Sequence, residues 1–80
     1  MKHVLILGGA GFIGSNIAKR FVDGGLRVTV IDGLLAQTSG SLENLAPISN
    51  KIYFINKKIE FVDNLSAIID SCDLIIDSMA

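Results

Sequence analysis

Tryptophan is absent from the 80 residues, and cysteine, proline and tyrosine occur once each. A lone thiol, Cys72, excludes an internal disulfide and any metal cluster built on thiolates. It falls on the apolar stripe of a predicted helix, where a buried, inert thiol is expected. Charge of one sign is lacking too: seven Lys and Arg stand against eight Asp and Glu, a net charge of −1. No basic excess exists to attract nucleic acid or anionic lipid, and Lys57-Lys58 reads as a solvated strand or turn. No apolar run approaches the ~20 residues of a membrane-spanning helix. The first apolar stretch, Val4 to Leu7, is cut short by glycines, so no secretory leader is expected there. A soluble, cytoplasmic protein with no nucleic-acid or membrane partner is expected.

Half of the residues are apolar and 19% are charged, the balance of one small folded domain near the lower size limit for a single core. His3 to Leu7 does not alternate and reads as a strand buried on both faces. Ile13, Ile17, Ala18, Phe21 and Val22 recur at helical spacing, and Gly24-Gly25 ends that helix. Val28 to Ile31 is a second strand of the same type. Gly33 to Asn50 is a long polar connection with one helical turn at Ser41 to Leu45. Lys51 to Ile55 forms a third strand. Leu65, Ile68, Ile69 and Cys72 mark a short helix that Asp63 or Asn64 caps, and Leu74 to Ile76 a fourth strand. Strands alternating with helices predict an α/β fold with a parallel sheet and right-handed crossovers. For a nucleotide-binding half-fold the expected strand order is 3-2-1-4, with the switch point at the tips of strands one and four.

That is where the glycines lie. Gly9, Gly11 and Gly14 fit G-x-G-x-x-G, and Gly8, Gly11 and Gly14 fit G-x-x-G-x-x-G. The first glycine permits a tight turn, Gly11 lets backbone approach a pyrophosphate, and Gly14 lets helix and sheet pack closely. The amides of Phe12 and Ile13 would then face the phosphates from the positive end of the helix dipole. Asp32 closes the second strand 18 residues after Gly14, near the ~20 expected of an acid that accepts from ribose hydroxyls. A 2′-phosphate would meet that carboxylate, and Gly33, the next residue, brings no cation. NAD is therefore expected over NADP. A phosphate loop of the G-x-x-x-x-G-K-[ST] type is absent.

The run GGAGFIGSNIAKRFVDGGLRVTVID resembles the opening of the extended short-chain dehydrogenase/reductases, specifically the NAD-dependent epimerase/dehydratase family acting on nucleotide sugars. The similarity is specific over the first 32 residues and continues more weakly through SLENL, Ser41 to Leu45, to the end of the chain. It implies a partial Rossmann-like, doubly wound sheet of four strands and a cofactor site at Gly8, Gly11, Phe12, Ile13, Gly14, Asp32 and Gly33. It implies that residues 1–80 form the N-terminal part of an NAD-binding domain. The catalytic Tyr-x-x-x-Lys pair and the regions that hold a nucleotide-sugar substrate would lie beyond Ala80. In such an enzyme NAD takes a hydride from a sugar carbon and returns it, with the tyrosine as base.

Departures accompany the resemblance. Leu7 stands where relatives carry Thr. Lys58-Ile59 aligns with an Asp-Ile pair that meets adenine, and a lysine cannot accept from the adenine amino group. Asp77-Ser78-Met79-Ala80 replaces His-x-Ala-Ala. Tyr53 to Lys57 spells Tyr-x-x-x-Lys, but a strand separates those side chains, whereas the chemistry needs a helix. His3, at the strand end opposite the glycines, is expected at the surface. No residue here is expected to be catalytic or to bind metal. Two other readings stay open: a dinucleotide-binding or sensing module without catalysis, and an interaction fragment. In either case an open sheet edge favours self-association or a homodimer.

Overall fold

The computed structural model describes residues 2–34 and 40–79. Their strands are β1 (His3–Leu7), β2 (Arg27–Ile31), β3 (Tyr53–Ile55) and β4 (Leu74–Asp77). All pair in parallel, in the order β3-β2-β1-β4. The chain is an α/β fold with the expected Rossmann-like, doubly wound strand order.

The sheet follows from its residues. Val4, Leu5 and Ile6 of β1 are buried to within 2% exposure, as a strand with neighbours on both edges and both faces requires. Each such side chain contributes about 2 kcal/mol when removed from water. Val4 and Ile6 face Val28 and Val30, and with Ala18 of α1 (Phe12–Asp23) and Leu45 of α2 (Leu42–Leu45) they form the main core. Ile17, Phe21 and Val22 pack at its edge. Ile13 departs from the predicted stripe: it is 68% exposed, at the mouth of the glycine turn.

Gly24-Gly25 stops α1 as expected. Gly25 takes φ 81°, its amide donates to the Val22 carbonyl, and the Leu26 amide donates to that of Phe21. That double closure is a Schellman motif, with apolar Phe21 and Leu26 on either side of it. The turn at 41–45 is also present, and Ser41 Oγ accepts from the Glu43 amide as its cap. Residues 35–39 of the predicted long connection lie outside the described residues.

Three expectations need correction. The third strand begins at Tyr53 rather than Lys51, because the Lys51 amide donates to the Ile48 carbonyl in a turn. Asn64 begins α3 (Leu65–Asp70), but no side chain caps it, and no α3 residue is buried. Cys72 lies just past that helix and is half-buried.

His3 is not a surface residue. It is 8% exposed, its Nε2 lies 2.6 Å from Thr29 Oγ1, and its Nδ1 lies 3.6 Å from Cys72 Sγ. The register explains this: His3 pairs with Arg27, so Thr29 is its diagonal neighbour on the same face. The His3 amide also donates to Asp73 Oδ2 at 2.8 Å.

Candidate functional site

The glycine turn joins β1 to α1 between the C-terminal tips of β2 and β4, and each glycine has a distinct reason. Gly8 takes φ 77°, where an L side chain is strained, and a Cβ there would stand 2.9 Å from Met79 Cγ. The tight turn therefore belongs to Gly8, while a Cβ on Gly9 would stand 2.6 Å from Val30 Cγ1, so both glycines are required and the chain fits both templates. A Cβ on Gly14 would meet the Gly8 carbonyl oxygen and Ser78 Oγ, each at 2.6 Å, so helix and turn are in close contact. Gly11 is different: at φ −71° and ψ 172° its backbone suits any residue.

Asp32 is the centre of the arrangement. Its Oδ2 accepts from the Ala10 amide at 3.0 Å, and its Oδ1 accepts from the Leu34 amide at 2.8 Å. One carboxylate thus ties the tip of β2 to the glycine turn and holds Leu34 at φ 54°, a left-handed conformation unusual for leucine. The other side of the Ala10 peptide is held as well. Its carbonyl accepts from the Ser41 amide at 3.1 Å and from Asn44 Nδ2 at 2.8 Å.

Asn44 and Ser78 belong to the site's frame and were not singled out from the sequence. The Ser78 amide and hydroxyl both donate to the Leu7 carbonyl, at 2.9 and 2.8 Å, holding the end of β4 against the start of the turn. The SLENL similarity contains Asn44 and was the one available signal for it.

α1 begins here without a side-chain cap and without an acidic residue in its first turn, so the positive end of its dipole is not offset by its own residues. Phe12 and Ile13 are each 68% exposed at this end. Gly8, Gly11, Phe12, Ile13, Gly14 and Asp32 thus converge around one turn. Gly33 lies beside it, and a Cβ there would stand 3.1 Å from Lys58 Cγ and 3.3 Å from the Lys58 amide nitrogen. The sequence neighbours of Asp32 bring no cation, but the fold lays the Lys58 stem beside Gly33.

Tyr53 and Lys57 form no helical pair. Tyr53 lies in β3 and is 66% exposed, while Lys57 lies past the strand with Nζ 3.8 Å from Asp63 Oδ2. Among the described residues no group of three His, Cys, Asp or Glu is arranged to hold a metal ion. No helix among them is long and apolar enough to cross a membrane.

This architecture is shared with known proteins. An Arabidopsis thaliana protein named as a UDP-arabinose 4-epimerase is 43% identical over 58 residues, 69% of this chain and 14% of that protein. The crystal structure of dTDP-glucose 4,6-dehydratase from Bacillus anthracis in complex with NAD superposes with a TM-score of 0.82 at 29% identity, covering 100% of this chain and 27% of that one. UDP-glucose 4-epimerase from Thermotoga maritima, solved with UDP-glucose, superposes with a TM-score of 0.80 at 29% identity, covering 98% and 24%. The chain thus spans a small part of the length of these relatives. The family model described as GDP-mannose 4,6 dehydratase matches residues 5–77, nearly the whole sheet and the entire glycine turn. With that match the chain belongs to the GDP-mannose 4,6-dehydratase family of NAD-dependent epimerases and dehydratases.

Proposed function

We propose that residues 1–80 form the N-terminal part of the NAD-binding domain of a nucleotide-sugar epimerase or dehydratase, supplying the adenosine and pyrophosphate half of the cofactor site. The observation that carries this reading is the glycine turn, held on one side by Asp32 and opening onto the uncapped start of α1. Backbone strain does not explain glycine at position 11, whereas close approach of a pyrophosphate does. Gly8 and Gly14 keep the turn tight, and Phe12 and Ile13 stand at the helix end that faces an anion. Each Asp32 oxygen accepts one amide and keeps a lone pair for a ribose hydroxyl. Gly33 leaves room beside it.

The chemistry that bound NAD supplies is reversible hydride exchange with a sugar carbon. The residues described here bind and orient, and the acid–base pair belongs to sequence outside them. The NAD and UDP-glucose named for the similar structures support NAD as the cofactor and a nucleotide sugar as the substrate of the whole protein. A cytoplasmic setting fits a chain whose single cysteine forms no disulfide. Self-association is part of the same reading, supported by the exposure of Leu74 and Ile75 on β4.

Calorimetric titration of the full-length protein tests this reading. NAD is expected to bind more tightly than NADP, because the Asp32 carboxylate faces the 2′ position. Gly11→Val is expected to abolish binding while the apolar core stays intact. Retained affinity in a folded Gly11→Val variant would mean that the phosphates sit elsewhere.

A further inference from the structure

Lys57 and Lys58 are adjacent in sequence, but the fold gives them different surroundings. Lys57 reaches Asp63 at 3.8 Å, while Lys58 makes no ion pair among the described residues. The main chain of Lys58 is fixed: it starts the 3-10 turn Ile59–Phe61, and its carbonyl accepts from the Phe61 amide at 2.9 Å. Its stem lies over Gly33, close enough that a side chain at position 33 would crowd both Cγ and the amide nitrogen. A fixed root, a stem against the residue that follows Asp32 and an exposed head bring the Lys58 side chain beside the tip of β2.

We infer that Lys58 is a specificity-determining residue of the dinucleotide site: its ammonium engages the 2′-phosphate of NADP and narrows the preference for NAD that Asp32 imposes. The inference rests on the dinucleotide reading above and goes beyond it. The two charges act on different ligands. Asp32 accepts from the free hydroxyls of an unphosphorylated ribose and repels a phosphate. Lys58 gains at most a hydrogen bond from a hydroxyl, which carries no charge, but it gains an ion pair from a phosphate. Because the ammonium is exposed, the gain is modest and falls as salt screens it. Gly33 is part of the device, since a Cβ there would crowd the Lys58 stem at 3.1 Å and push it aside by a few tenths of an ångström.

The test is titration of NAD and NADP into the full-length protein and into Lys58→Met, which keeps the length of the stem and removes the charge, with Lys58→Arg as the conservative control. Lys58→Met is expected to weaken NADP about fivefold, to leave NAD within experimental error, and to flatten the salt dependence of NADP binding. Lys58→Arg is expected to retain wild-type NADP affinity. Equal changes in both cofactors, or no change in either, would overturn the role of Lys58 while leaving the NAD site intact. Failure of the wild-type protein to bind NAD at all would overturn the dinucleotide reading and this inference together.

Discussion

Thr29 carries a hydroxyl into the buried part of β2, among Val28, Val30 and Ile31, and His3 is what makes it tolerable. Both are buried, at 4% and 8% exposure, and they satisfy each other across the β1–β2 pair. Thr29→Val keeps the shape and strands the imidazole nitrogen, which is expected to cost about 1–3 kcal/mol in chemical denaturation. Replacing His3 by Leu in the same background removes the stranded group, so the double variant should lose less than the sum of the two single changes. Additive losses would mean that the contact contributes nothing as a pair. Neither residue signals this role in sequence, because a histidine's surroundings are set by the strand that lies beside it, 26 residues away.

Among the elements, the joint between β2 and the glycine turn decides most, and it depends on one side chain. Asp32→Ala frees the Ala10 and Leu34 amides together and is expected to lower stability by about 1–2 kcal/mol while weakening NAD. Asp32→Asn keeps one strong acceptor and should fall between that variant and wild type in both respects. Scanning calorimetry with and without NAD checks both, and an unchanged melting temperature in Asp32→Ala would show that the two bonds are incidental. The elements themselves were largely readable. Val4 to Leu7 and Val28 to Ile31 announce buried strands by failing to alternate, and Gly24-Gly25 announces the stop by the conformation that only glycine takes easily. What escaped was set by partners far along the chain. Asn44 reaches Ala10 across 34 positions and Lys58 meets Gly33, whereas β3 is shortened by a local turn bond from Lys51 to Ile48. The candidate cofactor residues stand out in sequence because strand, turn, helix and acid follow in order, and the groups that hold them do not.

For the whole molecule the decisive feature is the free side of β4. Leu74 and Ile75 are 46% and 43% exposed on a strand with no partner beyond it among the described residues, and Phe61 and Ile69 add apolar surface in the connection before it. Such an edge templates pairing with other chains, and a unit of this size has little stability in reserve. The isolated 80-residue chain is therefore expected to self-associate at low micromolar concentration in sedimentation, and Ile75→Lys to reduce it. A sharp monomer with cooperative unfolding would make the chain self-sufficient and favour a binding or sensing module over a portion of an enzyme. The same strand order also has a consequence in time. β1 emerges first from the ribosome, gains β2 on one side after about two dozen residues, and waits for β4 on the other until residue 77 has been made. Until residue 77 is made, then, the most apolar strand of the sheet keeps one open flank, and the nascent chain's exposure to misassembly is timed by the arrival of β4.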